Sequence, residues 1–136
     1  MNDRNPYATP RRGVLLQECA FYHRLDIPGV DTFQWDLVGD EAAYLGNFEF
    51  SGKRVLEFGA ASGALTFWME KQGAEVVGMD LSPDVDNTSW DVLRPTGEDV
   101  DLARQRMAAG NARLNNGFWY AHEFFGSRAL GARNRV

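Results

Sequence analysis

Between Arg54 and Ser82 the spacing of apolar and polar residues changes period twice. Val55 to Phe58 is a short apolar run interrupted only by Glu57, and it stops at Gly59, the pattern of a buried strand. Five small residues follow, Gly59-Ala60-Ala61-Ser62-Gly63, where a backbone must turn sharply. Leu65, Trp68 and Met69 then recur at i, i+3, i+4 and predict a helix. Gly73 stands just beyond it, the usual residue past a helix C-terminus. Glu75 to Met79 reads as a second buried strand, closed by Asp80. Strand, tight turn, helix and strand make a βαβ unit, and so predict an α/β fold with a parallel sheet.

The flanking segments carry weaker patterns. Residues 1 to 13 are polar, with Pro6, Pro10 and Arg11-Arg12, and read as a loose arm. Leu15, Leu16, Cys19, Ala20 and His23 have helical spacing and predict a helix over Gly13 to Arg24, broken by Pro28-Gly29. Asp31 to Gly46 reads as a short helical segment carrying Trp35, Leu37 and Tyr44, with Asn47 to Gly52 as connector. After Asp80, Ser82-Pro83-Asp84 signals a turn or helix start, and a polar stretch with Trp90 and Leu93 runs to Pro95. Thr96-Gly97-Glu98-Asp99 resembles a capping box. It opens a helix with Val100, Ala103, Met107 and Leu114 on one face, which Asn115-Asn116-Gly117 is expected to interrupt. Phe118 to Phe125 then forms a second, aromatic helix whose Phe118, Ala121, His122 and Phe125 share a core or interface face. The last ten residues read as the approach to a third strand.

Length and composition narrow the class. A chain of 136 residues makes one ordinary domain. Within it residues 1–50 divide off as an arm with a helical segment, and residues 51–136 as the βαβ-bearing unit. An apolar content of 44% predicts a packed protein, and a net charge of -5 argues against electrostatic nucleic-acid binding. Charge is uneven: Asp80 to Asp101 is strongly acidic, and the chain from Arg104 onward is arginine-rich, a pattern read as solvated helix faces. Cys19 is the single cysteine, which excludes a disulfide framework and a zinc set and fits a reducing, cytoplasmic setting. The polar N-terminus has no apolar signal core, and no run is long enough for a membrane span.

Candidate chemistry concentrates in the central unit. Ser51-Gly52-Lys53 is not a phosphate loop, because the lysine precedes the strand and Arg54 replaces the hydroxyl residue. His23 and His122 are the two histidines; each reads as packing or surface, and neither is assigned a catalytic role. Gly59, Ala61 and Gly63 let the backbone approach a ligand and leave the next helix N-terminus open. Asp80 lies 21 residues after Gly59 at the end of the second strand, where a carboxylate can accept both ribose hydroxyls of an adenosine. Glu57 is an ionisable group in an otherwise apolar strand, and burying it costs several kcal/mol unless it is paired. A dinucleotide site wants G-x-G-x-x-G, and in that register the chain offers Gly59, Ala61 and Ala64. A carboxylate two residues upstream suits a ligand with an ammonium group and an adenosine but no phosphate.

The stretches VLEFGAASG and GAEVVGMDLS resemble the first two motifs of class I S-adenosylmethionine-dependent methyltransferases. The family's [DE]-x-G-x-G-x-G is matched by Glu57, Gly59, Ala61 and Gly63, with Ala61 replacing the middle glycine. The resemblance implies S-adenosylmethionine as cofactor. Its methionine part would lie on the turn of Glu57, Gly59, Ala60, Ala61 and Gly63, its ribose on Asp80 and its adenine near Leu81. It also implies a Rossmann-like sheet of seven strands in which strand 1 lies between strands 2 and 4. Set against that fold the chain is expected to supply strands 1 and 2 with their flanking helices, an incomplete methyltransferase with an exposed, association-prone strand edge at Val55 to Phe58. Trp35 and Tyr44, just before the first strand, read as packing residues, with the cofactor or substrate mouth as the alternative. The resemblance assigns no methyl acceptor. Two other readings stay open: an NAD-dependent oxidoreductase fragment, and a non-catalytic module that pairs with another chain.

Overall fold

The computed structural model describes residues 5–81 and 99–132. The predicted βαβ unit is present. Strand β1 spans Arg54–Phe58, helix α2 Ala64–Lys71 and strand β2 Glu75–Met79, after a single-turn α1 at Glu41–Tyr44. Helix α3 spans Val100–Phe124 and strand β3 Leu130–Gly131. The sheet is parallel throughout, in the order β1-β2-β3. A third strand therefore forms where only an approach to one was expected, and Val77 and Gly78 pair with Leu130 and Gly131.

The two faces of the sheet differ. Val55, Glu57, Val76, Gly78 and Gly131 face the helices, and Val76 and Gly78 are buried. Leu56, Phe58, Val77, Met79 and Leu130 lie on the other face, where Phe58 is 70% exposed and Leu56 54%. β1 pairs only with β2 among the described residues, so its outer edge is open.

Helix α2 buries Thr66, Phe67 and Met69, with Leu65 and Trp68 half-buried. It ends as predicted, with Gly73 in the left-handed region at φ 94°. Phe67 is 2% exposed and packs its ring against Phe118 of α3 and Phe125 at the end of that helix. Truncating such a ring to alanine costs about 3–5 kcal/mol. This core joins both ends of the chain: Cys19, Phe21, Leu25, Ile27 and Val30 pack with Phe67, Phe118, Trp119 and Ala121.

Three expectations are corrected. The helix over Gly13 to Arg24 is absent apart from a 3-10 turn at Leu16–Glu18, and its backbone groups bond elsewhere. Ala20 N–H donates to the Arg113 carbonyl of α3, and Arg24 N–H to the carbonyl of Trp35. Cys19 and Phe21 are buried between less buried neighbours, the alternation of an extended strip. The helical segment over Asp31 to Gly46 shrinks to the four residues of α1. The arm is tied down: Ala8 N–H donates to Gly131 O, Arg11 to Asn115 and Gly13 N–H to Glu123.

Helix α3 also runs through Asn115-Asn116-Gly117 as one 25-residue element. Asn116 donates to the Glu18 carbonyl, and Asn115 accepts from Arg11. A Cβ on Gly117 would lie 2.4 Å from the Ala20 carbonyl oxygen, so this glycine admits a neighbouring backbone and does not break the helix. Asp99 caps α3, accepting Leu102 N–H at 3.0 Å. The box expected to start at Thr96, and the turn signal at Ser82-Pro83-Asp84, lie outside the described residues, as do Trp90 and Leu93. Phe118, Ala121 and His122 are buried on one face as expected, with Phe125 packed beside them.

Candidate functional site

The turn after β1 is built by hydrogen bonds that cross to β2. Gly59 and Ala60 both donate their N–H groups to the Met79 carbonyl, at 2.8 and 3.2 Å. Gly63 N–H closes a tight turn onto the Ala60 carbonyl at 2.8 Å. Ala61 N–H donates to Asp80 Oδ2, and Leu81 N–H to Asp80 Oδ1 at 2.6 Å. The first and last residues of the turn need left-handed backbone, φ 77° at Gly59 and 87° at Gly63. Ala61 adopts φ 49°, which an L-residue takes at some cost.

Gly63 is also a packing requirement. A Cβ there would stand 2.5 Å from Phe67 Cε2 and 2.9 Å from Phe118 Cδ2. A Cβ on Gly59 would meet nothing within 4 Å, so open space lies over the start of the turn. Behind it Ser62, 1% exposed, accepts Tyr22 N–H at 3.2 Å and binds the N-terminal strip to the turn.

The structure brings Glu57, Asp80, the turn and Leu81 into one neighbourhood at the carboxyl ends of β1 and β2. Glu57 accepts the hydroxyl proton of Thr66 from α2. Burial pushes the Glu57 carboxyl above its usual range and the charge of Asp80 pushes the same way, while the Thr66 bond opposes both. The charge of Asp80 thus reaches Glu57, and the two carboxyl groups stand at the same end of the sheet.

Thr66 and Ser62 carry structure that the sequence reading did not assign. A hydroxyl residue in the first turns of α2, nine residues after Glu57, is the sequence signal for the first. For Ser62 there is none, because its partner comes from a strip read as helix. Trp35 and Tyr44 do not pack in the core: they are 59% and 63% exposed. The Trp35 indole donates to the Tyr22 hydroxyl at 3.1 Å. His122 is 3% exposed and bonds the Ala129 carbonyl at 2.9 Å among Phe67, Phe118 and Trp119, a structural position. His23 is half-buried against the Tyr22 ring, and burial pulls its pKa down.

A groove of about 920 Å³ lies elsewhere, along the sheet, with Leu56, Val77, Met79, Leu130 and Tyr7 in its lining. No residue of the turn lines it. Among the described residues no group of three or more His, Cys, Asp or Glu is placed to hold a metal ion. No described helix is long and apolar enough to cross a membrane.

A family described as "Methyltransferase domain" matches residues 33–125, which include α1, β1, the turn, α2, β2 and all of α3. Neither the curated proteins nor the solved structures give a match.

Proposed function

From the premise that this chain belongs to the methyltransferase-domain family, we propose that it binds S-adenosylmethionine at the turn after β1 and serves methyl transfer from it. The observation that carries this reading is how the turn treats charge. The N–H groups of Gly59, Ala60, Ala61 and Gly63 are all engaged by protein acceptors, two of them through Met79 and one through Asp80. A pyrophosphate site needs such groups turned outward, and has no use for a buried carboxylate two residues ahead of the turn. A carboxylate where Asp80 stands serves the ribose of either ligand, so Glu57 beside the turn makes the distinction. A cationic ligand with an uncharged sugar suits that field, and a dinucleotide does not.

In this reading Glu57 receives the ammonium group of the methionine part, and Gly59, Ala60, Ala61 and Gly63 form the surface beneath it. Asp80 keeps its bonds to the turn and accepts from the ribose hydroxyls with its remaining lone pairs, which a carboxylate has in number. Leu81 packs near the adenine. When bound, the cofactor supplies an electrophilic methyl on a sulfonium that leaves readily. The protein's own part is alignment and exclusion of water, and well-oriented systems gain about 7–11 kcal/mol from alignment. The exposed Trp35, joined to the turn side through Tyr22 and Ser62, and the exposed Tyr44 just before β1 are proposed to border the mouth where the acceptor enters. A reducing, cytoplasmic setting suits the free, buried Cys19, whose thiol burial pushes up and so makes unreactive.

Thermal denaturation tests the choice of ligand class. S-adenosylhomocysteine is expected to raise the midpoint and NADH to leave it unchanged. A response to NADH alone would favour the dinucleotide reading.

A further inference from the structure

Thr66 is unusual for a threonine in a helix. Such residues commonly face water or turn their hydroxyl back to a carbonyl of the preceding turn. Thr66 is 0% exposed, and its hydroxyl donates to Glu57 on β1. A threonine hydroxyl has one proton to give, so its donor is committed to that carboxylate.

The path between them is open because of Gly78. This glycine is the register partner of Glu57 on β2 and lies on the same, helix-facing side of the sheet. A Cβ there would stand 3.1 Å from Ala60 Cβ, 3.2 Å from Phe118 Cε2 and 3.4 Å from Thr66 Oγ1. The missing side chain leaves a slot, floored by β2, through which α2 reaches β1. Three residues on three elements therefore share one purpose: Glu57 carries the charge, Gly78 leaves the slot, and Thr66 fills it with a donor.

We propose that Thr66 is a positioning residue, holding the Glu57 carboxylate in the orientation from which it meets the ammonium group of the cofactor. This rests on the cofactor reading above. The groups around Glu57 give the bond a second consequence. Asp80 at the end of β2 is the charged group that acts on it, Thr66 is the polar group from α2, and α3 presents the apolar Phe118 to the same slot. Burial and Asp80 both favour the protonated carboxyl, and the Thr66 bond favours the ionised one. Without the hydroxyl, Glu57 ionises only at higher pH, and cofactor binding follows it.

The test uses the full chain and S-adenosylhomocysteine, titrated by calorimetry between about pH 5 and 9, with Thr66→Val and Thr66→Ser beside wild type. Thr66→Val keeps the shape and is expected to lose about tenfold in affinity at neutral pH and to regain part of it as pH rises. Thr66→Ser restores the donor and is expected to stay within about threefold of wild type across the range. In parallel, the carboxyl carbon of Glu57, followed by NMR in the ligand-free protein, should titrate at higher pH in Thr66→Val and not in Thr66→Ser. Wild-type binding with an unshifted valine variant, or an equal loss in both variants at every pH, overturns the positioning role alone. Absence of wild-type binding overturns the cofactor reading and this proposal with it, and the NMR titration then separates the bond from the ligand.

Discussion

Asp80 grips Ala61: the carboxylate that closes β2 accepts the backbone N–H in the middle of the turn that leaves β1, and its other oxygen accepts Leu81 N–H. The residue proposed to hold the ribose is thus also the clamp that shapes the methionine surface. Asp80→Ala is expected to lower the stability of the ligand-free chain by about 1–3 kcal/mol, through the two amides left without their acceptor. Urea denaturation without ligand measures this. An unchanged midpoint would separate the turn's shape from Asp80.

Ala61 and Gly63 predict opposite responses to the same kind of change. Ala61 holds φ 49° with a Cβ, so Ala61→Gly relieves strain and is expected to stabilise the chain by about 0.5–1 kcal/mol after the entropy of the freer unfolded chain is subtracted. Gly63→Ala meets both the backbone penalty and the rings of Phe67 and Phe118, and is expected to cost at least about 2 kcal/mol. Equilibrium unfolding of the pair checks the sign of each.

Glu57 trades stability for its charge. Its folded-state pKa is raised above the unfolded value, chiefly by burial, so its contribution to stability is fully present below the unfolded pKa and is lost as pH rises through the folded one. Glu57→Gln removes that loss while keeping an acceptor for Thr66. The variant should be more stable than wild type at neutral pH by roughly 1 kcal/mol, with the difference fading as pH falls into the carboxylate range. Midpoints of thermal unfolding across that range decide it. A variant less stable at neutral pH would mean that the buried charge is well paired.

The open edge of β1 and the apolar face beside it predict association. Leu56, Phe58 and Leu130 are exposed along that face, and an unpaired apolar strand is a template for another chain. Sedimentation of the purified chain is expected to show mass rising with concentration, with Phe58→Lys reducing the effect. A monodisperse monomer would remove this prediction.

The central unit was legible because its pattern changes period at its boundaries. Both strands appear within a residue of their predicted ends, and α2 stops ahead of Gly73. Glu57 was legible for an energetic reason, as a charge in a strand otherwise suited to burial. The misreadings arise where tertiary contacts override local pattern. Gly117 looks like a helix break until Ala20 is seen lying against it, and Cys19 to Arg24 looks helical until α3, Ser62 and Trp35 take up its backbone bonds. Thr66 and Gly78 escaped notice because neither is informative until the fold sets both beside Glu57.

Calorimetric titration of the full chain with S-adenosylhomocysteine, alongside Asp80→Ala and Glu57→Gln, tests the central claim most directly. The predicted result is saturable one-site binding by wild type and a loss of at least about tenfold in each variant. Absence of binding up to ~1 mM ligand, or binding that both variants retain unchanged, would contradict the assignment of this turn to the cofactor.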